Sequence, residues 1–267
     1  MPNHCSNHFR FSGKPETIQQ LYQHIVDAEL EQPTIDFNRI IEMPECLDIK
    51  HTNEGMKALE LFKMNPQQLI INTDWFRHAH ELVQVLGKYG YQWASLTATQ
   101  TIAVLEEEPD LQQHYGFDLS LGKQYQANLQ QHGHITWYEW RLHHWGTKWN
   151  AYNAVVELNE DGSCLSGYFE TAWSPAEPLY RYLVKQYPNI EMEIEYMDEF
   201  AGFAGMYRSD GEGVLVDYPL SDTEIEAFIV YKEAKESHIK DLANKWKDQI
   251  DPRVYEALMN YQVEITD

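Results

Sequence analysis

The period of the hydrophobic pattern changes in a regular order along this sequence, and that order limits the folds available to it. Near the start of the chain, and again after about residue 149, alternating segments typical of strands are interleaved with segments of helical spacing. Between these two regions the pattern is helical only. Two strand–helix–strand units on either side of a helical stretch predict an α+β fold.

The first strand–helix–strand unit is predicted within residues 1–53. Residues 8–12 alternate as a strand, and Pro15 suits the first position of a helix. An apolar stripe at helical spacing follows over about four turns. Residues 35–43 then predict a second strand, which would complete the unit.

Residues 54–136 predict an inserted helical subdomain. A stretch of this length cannot be a structureless loop inside a compact protein, so it must bury an apolar face of its own or cover the neighbouring sheet. Its helical segments are separated by proline and glycine. The predicted helices are 54–64, 73–87, 95–107 and 119–131.

Residues 137–220 predict the second unit, and residues 221–267 a C-terminal helical extension. Two hairpins are predicted, each across an Asp-Gly turn, and the first is followed by a Ser174-Pro175-Ala176-Glu177 capping box that would start a helix. The whole pattern favours a ferredoxin-like antiparallel sheet sandwich with a helical insertion and C-terminal helices. The strands predicted in this region are 151–159, 164–172, 190–196, 203–208 and 214–218.

The charge balance limits the partners of the chain. Its 267 residues include 42 Asp and Glu against 20 Lys and Arg, a formal net charge of −22. Binding to nucleic-acid phosphates or to an anionic membrane depends on Lys and Arg, so both are disfavoured. The sequence also has no apolar run long enough to span a bilayer.

The three cysteines are odd in number and widely spaced, at Cys5, Cys46 and Cys164. This usage favours a reducing compartment over a disulfide framework. Because no basic segment followed by an apolar stretch opens the chain, we predict a cytoplasmic location.

No known catalytic motif occurs in the sequence, so we predict a non-enzymatic protein with no catalytic residues, no cofactor and no bound metal. Two alternatives stay open. A metal site would be sought at His4, Cys5 and His8, because the paired histidines elsewhere, such as His132 with His134, lack a ligand spacing that fixes a site. An enzyme could instead use the secondary amine of Pro2, exposed by removal of Met1.

Acidic residues are densest in residues 137–220, where Glu191, Glu193 and Glu195 alternate with apolar side chains. One strand face would then carry three carboxylates about 7 Å apart. Such a face either serves solubility and discourages edge pairing, or docks a basic partner. The predicted partner-binding residues are Glu191, Glu193, Glu195, Asp198, Glu199, Asp210 and Glu212.

Aromatic residues are concentrated between positions 137 and 152, and they suggest a different class of function. On ferredoxin-like sheets, exposed aromatic rings stack the bases of single-stranded nucleic acid. The alternative prediction is therefore a single-strand binding surface, although few cations accompany the rings. Its residues would be Trp140, Trp145 and Trp149.

Several motifs taken in order carry a resemblance to a known family. They include Trp145-Gly146-Thr147-Lys148-Trp149, Phe169-Glu170-Thr171-Ala172-Trp173-Ser174-Pro175, and the segments 1–7, 37–44 and 202–205. Together they resemble the YubB-type ferredoxin-like family, encoded mainly on bacterial plasmids, phages and prophages. The resemblance implies a fold and a genetic neighbourhood, and no activity.

Combined with the charge, the resemblance leads to the predicted function. We expect an acidic interaction protein of a mobile genetic element that binds and modulates a basic protein encoded by the host or the element. Counter-defence and nucleic-acid mimicry are the roles this would serve.

Overall fold

The computed structural model describes residues 3–30, 32–72, 95–210 and 212–233. The chain divides into two compact units. The first comprises the chain up to Glu42 and from Arg141 onwards, and the second runs from Met43 to Trp140. The second unit is thus an insertion in the sequence of the first.

The first unit is built on a six-stranded antiparallel sheet. Its strands are β1 (His4–Ser12), β4 (Tyr152–Leu158), β5 (Cys164–Ala172), β6 (Glu191–Asp198), β7 (Ala204–Ser209) and β8 (Leu215–Pro219). From one edge to the other the strand order is β4-β5-β1-β6-β7-β8, so β1 lies between β5 and β6.

The connectivity of this sheet is ferredoxin-like. Strand β1 leads through helix α1 (Pro15–Ile25) towards β4, and β5 leads through helix α8 (Glu177–Gln186) to β6. Strands β5 and β6 both pair antiparallel with β1, and the β7–β8 hairpin extends the sheet beyond β6. The α+β prediction is confirmed, as are both predicted hairpins.

The predicted strand over 35–43 is wrong. In this segment the strand is limited to Thr34–Ile35 (β3), which pairs with Val26–Asp27 (β2) in a separate two-stranded sheet. Residues Phe37–Ile40 form the short helix α2, because the Asp36 carboxylate accepts the N–H of Asn38 at 3.0 Å and Phe37 and Ile40 are buried on one side. The first strand–helix–strand unit therefore closes through β4, far along the chain.

The helix α8 begins later than the capping box predicts. Its N-cap is Ala176, with no side-chain capping bond, and Pro178 lies in its first turn. The Ser174 hydroxyl donates instead to the carbonyl of Gly146 at 2.7 Å. Tyr180 fixes the helix against the sheet, since its ring lies 5.7 Å from that of Tyr207 on β7.

The described part of the second unit is helical. The helices are α3 (Asn53–Lys63), α4 (Ala98–Glu107), α5 (Pro109–Tyr115), α6 (Leu119–His132) and α7 (Trp137–His144), with 3-10 turns at Glu45–Leu47 and Ile70–Asn72. The predicted helices at 54–64, 95–107 and 119–131 are confirmed, and the one predicted at 73–87 lies outside the described residues. Helices α3 and α6 approach closely, since a Cβ on Gly122 would lie 2.4 Å from the Cβ of Ala58.

The last described helix, α9 (Asp222–Glu233), begins at the start of the predicted C-terminal helical extension. The Glu224 carboxylate accepts both the backbone N–H and the hydroxyl of Ser221, at 2.8 and 2.7 Å. The rest of the predicted C-terminal helices lies outside the described residues. Within the described part of the chain, no helix has the length and apolar character required to cross a membrane.

Candidate functional site

The strand β6 carries the predicted acidic row. Its side chains alternate between a buried face, with Met192, Ile194 and Tyr196, and a face that bears the three glutamates. Glu191 is exposed, whereas Glu193 and Glu195 are half-buried. The three carboxylates therefore differ in how far a partner could reach them.

Neighbouring strands account for that difference. Glu193 is opposite Arg208 on β7, and the carboxylate Oε1 lies 2.9 Å from the guanidinium Nε. Glu195 lies between His8 on β1 and Met206 on β7. Of the row, Glu191 alone is at the end of the strand and open to solvent.

Asp198 has an internal role, which corrects its prediction as a partner-binding residue. Its side chain is 4% exposed. The carboxylate Oδ2 accepts the backbone N–H groups of Phe200 and Gly202 at 3.1 and 3.2 Å. These bonds hold the turn between β6 and β7, so Asp198 has no carboxylate to offer a partner.

The remaining predicted residues fall at two opposite ends of the sheet. Glu193 pairs with Arg208 in the antiparallel register, so Asp210 follows β7 next to Glu191. Glu199 follows β6 at the far end, about 27 Å from Glu191 at roughly 3.4 Å per residue. The seven predicted acidic residues therefore do not form one continuous surface.

The register brings a further acidic segment to the Glu191 end. Ser12 of β1 pairs with Cys164 on one side and Glu191 on the other, so the β4–β5 turn lies at this same end. That turn contains Glu160 and Asp161, which the sequence analysis missed because only strand pairing links them to β6. We define the acidic end as the five exposed residues Glu160, Asp161, Glu191, Asp210 and Glu212.

Two carboxylates of the acidic end are held in place by their own turns. Hydrogen bonds from the hydroxyl and N–H of Ser163 lower the pKa of Asp161. The backbone N–H groups of Val214 and Glu212 lower the pKa of Asp210. Both groups stay ionised under mildly acidic conditions.

The burial of two tryptophans corrects the aromatic alternative. Trp140 is 5% exposed and Trp145 is 1% exposed, so neither can stack a base. The indole N–H of Trp145 donates to the Ile41 carbonyl at 2.9 Å, and its ring lies 5.8 Å from that of Phe37. These large rings fill the core, as aromatic side chains in amphipathic segments commonly do.

Trp149 is exposed and has a second tryptophan close by. The ammonium Nζ of Lys148 lies 5.0 Å from the Trp149 ring and 5.2 Å from the Trp173 ring. The two rings are 37% and 38% exposed. The backbone N–H of Trp173 donates to the Asn3 carbonyl, which places this tryptophan pair at the start of β1, away from the acidic end.

The motifs that carry the family resemblance hydrogen-bond to one another. The Thr147 hydroxyl donates to the Ala172 carbonyl at 2.8 Å and accepts the N–H of the same residue at 3.1 Å. Ser174 donates to Gly146, so the two tryptophan-containing motifs are tied at two points. These bonds between the two motifs stabilise the fold.

The strand geometry separates the residues of the metal alternative. Cys5 is fully buried on the helix-covered face of β1, whereas His4 and His8 lie on the opposite face. Burial raises the pKa of Cys5 to about 12, which keeps the thiol protonated. These three side chains cannot share one ion, and Pro2 lies outside the described residues.

Comparison with known proteins supports the fold. Residues 144–243 match the family model described as the ferredoxin-like domain in Api92-like protein. This match confirms the ferredoxin-like prediction for the second half of the chain.

Among solved structures, the chain is similar to Api92 from Yersinia pseudotuberculosis. The two share 11% sequence identity over 83% of this chain and 99% of that one, with a TM-score of 0.38. No curated protein matches the sequence.

Proposed function

We propose that this chain is a non-enzymatic interaction protein of a mobile genetic element, which acts in the cytoplasm by binding a basic protein through its acidic end. The observation that carries the proposal is the convergence of three separate segments on that end. The β4–β5 turn, the start of β6 and the β7–β8 turn each bring exposed carboxylates to it. The genetic setting rests on the motif resemblance to families of plasmids and phages.

The geometry of the acidic end suits a partner rich in Lys and Arg. The three segments extend across the sheet from β5 to β7, roughly 15 Å at about 4.8 Å per strand. Clustered charges of one sign accelerate encounter with an oppositely charged protein and reject partners of the same sign. Two of the carboxylates are oriented by hydrogen bonds within their turns, which reduces the entropy lost on binding.

The class of partner follows from the same charges. A groove that binds nucleic acid is lined with Lys and Arg for phosphate contacts, and an array of carboxylates meets that groove with equivalent charge. A DNA-processing protein or a host defence enzyme is therefore the partner class we propose. By occupying such a groove, this chain would modulate the partner protein without catalysing a reaction.

The test reverses charge only where no side-chain hydrogen bond is lost. The variant Glu160→Lys/Glu191→Lys/Glu212→Lys leaves Asp161 and Asp210 to hold their turns. The matched control makes the same change in net charge on exposed residues of the second unit, Glu60→Lys/Glu107→Lys/Asp110→Lys. Circular dichroism checks that both variants fold.

Affinity purification from the bacterial host with mass spectrometry is the assay. We expect a basic protein to be captured by the wild type and the control, to be lost with the acidic-end variant, and to elute with rising salt. Equal capture of every partner by the two charge-reversed variants would contradict the proposal.

A second candidate function rests on the tryptophan pair. Trp149 and Trp173 present two exposed rings with Lys148 between them, an arrangement that could stack unpaired bases of single-stranded nucleic acid. Titration of labelled oligonucleotides at low salt tests it, with Trp149→Ala/Trp173→Ala as the variant. Absence of wild-type binding at about 50 mM salt eliminates this candidate, since phosphate contacts are strongest under those conditions.

A further inference from the structure

The second unit contains a cysteine and a histidine in direct contact. Cys46 is exposed in the middle of the 3-10 turn Glu45–Leu47, and His132 is the last residue of α6. The Cys46 Sγ lies 3.3 Å from Nε2 of His132, although 86 positions separate them in the sequence. In the tautomer with its proton on Nδ1, the imidazole accepts the thiol proton.

A buried amide holds the two partners together. Asn128 lies one turn before His132 on α6 and is 3% exposed. Its Nδ2 donates to the Cys46 carbonyl at 2.9 Å and to the Ile135 carbonyl at 3.1 Å. The backbone that carries the thiol is thus fastened to the helix that carries the imidazole, which fixes the contact before any reagent arrives.

The position of His132 suits a group that takes up a proton. The C-terminus of a helix carries partial negative charge from its carbonyl groups, and this charge stabilises an imidazolium. A thiol next to such a base is activated for attack, in the manner of Cys–His pairs in general. Because the Cys46 side chain is also exposed, a small electrophile can reach it.

The other two cysteines are placed differently. Cys5 is fully buried within the sheet. Cys164 is half-buried at the start of β5, where the Ser12 hydroxyl lies 3.8 Å from its sulfur. Cys164 therefore serves as a reference thiol for Cys46, since it is partly exposed and is contacted by a hydroxyl group where Cys46 is contacted by an imidazole.

We propose that Cys46 is a site of S-thiolation by small disulfides such as oxidised glutathione, with His132 as the proton acceptor. The thiol proton passes to Nε2 as the sulfur attacks one sulfur of the reagent. A new S–S bond forms to Cys46 while the original S–S bond breaks. The departing thiolate takes the proton back from the imidazolium and leaves as a free thiol, so the reagent supplies the oxidising equivalents.

The experiment measures the modification of each cysteine in the full-length protein. Limiting oxidised glutathione is added, the reaction is stopped at intervals, and peptide mass spectrometry gives the rate at Cys46 and at Cys164. The site variant is Cys46→Ser, the positioning variant is His132→Gln, and the control is His134→Gln, two residues away. Circular dichroism compares the folds.

We expect Cys46 to react about a hundredfold faster than Cys164 at pH 7, the lower end of the effect of a positioned base. The rate at Cys46 should depend on pH differently in the wild type and in His132→Gln, because only the wild type passes the thiol proton to an imidazole. His132→Gln should also lower the rate to about that of Cys164, whereas His134→Gln should keep the wild-type rate and pH dependence. Equal wild-type rates at the two cysteines, or a rate at Cys46 that His132→Gln leaves unchanged, would overturn the proposal.

Discussion

Changing Tyr180 to phenylalanine removes one hydroxyl from the core of the first unit while the ring stays in place. That hydroxyl donates to Oδ1 of Asn7 at 2.8 Å and accepts the N–H of Ala176 at 3.3 Å. Tyr180 and Asn7 are 3% and 0% exposed, so solvent does not replace the lost bonds. A buried polar group deprived of its partner costs about 1–3 kcal/mol, and we expect Tyr180→Phe to lower the free energy of unfolding by about 2 kcal/mol.

Changing Asn7 to leucine, a side chain of similar size, perturbs the same network from its other side. The Asn7 amide donates to the Cys5 carbonyl at 2.9 Å and to the Thr171 hydroxyl oxygen at 3.0 Å. Both bonds are lost, and the Tyr180 hydroxyl loses its acceptor. We expect a decrease of about 3–4 kcal/mol in the free energy of unfolding.

The double variant distinguishes a network from independent bonds. In Asn7→Leu the Tyr180 hydroxyl has lost its acceptor, and Tyr180→Phe then removes this unpaired group. The double variant should therefore lose about 1–2 kcal/mol less free energy of unfolding than the sum of the two single variants. Urea unfolding followed by near-UV circular dichroism measures all four proteins, with half-buried Tyr182→Phe as the control. Additivity within about 0.3 kcal/mol, or a cost for Tyr180→Phe no larger than that for Tyr182→Phe, would refute the reasoning.

Two further predictions concern helix packing and alkaline pH. Gly122→Ala should destabilise the protein by about 1–2 kcal/mol, because the new Cβ would lie 2.4 Å from the Cβ of Ala58 and 3.0 Å from backbone atoms. This steric cost outweighs the gain in helix propensity from glycine to alanine. Thermal melting measures the effect, and Ser120→Ala, at an exposed position of the same helix, should not destabilise the protein. Burial raises the pKa of Cys5 from 9.0 to about 12 in the folded protein. Above pH 9 the thiol ionises in the unfolded chain but not in the folded one, so the free energy of unfolding should fall as pH rises from 9 towards 12, by up to about 4 kcal/mol. Urea unfolding at pH 8 and 9, below the ordinary tyrosine pKa of about 10, should show a decrease that is smaller in Cys5→Ala than in the wild type.

The sequence predicts the strands of the first unit where one side of the strand is buried. Segments β5 and β6 alternate because their inner faces pack under helices, and the Asp161-Gly162 turn locates the start of β5. The pattern fails at 35–43, since Ile35, Phe37 and Ile41 satisfy an alternating spacing while Phe37 and Ile40 satisfy a helical one. There the Asp36 cap decides between them, and its bond to Asn38 depends on local geometry.

The candidate site depends on pairing between strands far apart in the sequence. The Glu-x-Glu-x-Glu spacing is visible directly, but the ion pair between Glu193 and Arg208 and the burial of Asp198 follow from how β7 pairs and turns. The grouping of Glu160 with Glu191 likewise follows from the position of β1 between β5 and β6. Composition located the charge, and strand order determined which charges share a surface.

The indole bond from Trp145 to the Ile41 carbonyl joins the point where the chain leaves the first unit to the point where it returns. Because the two ends of the segment from Met43 to Trp140 are held together, its entropic cost to folding of the first unit is that of closing one loop. The entropy of closing a flexible loop grows only with the logarithm of its length, about 0.6 kcal/mol per doubling. A sheet built this way tolerates exchange of the segment for one of another size, which makes this position a natural point for acquiring or discarding a module.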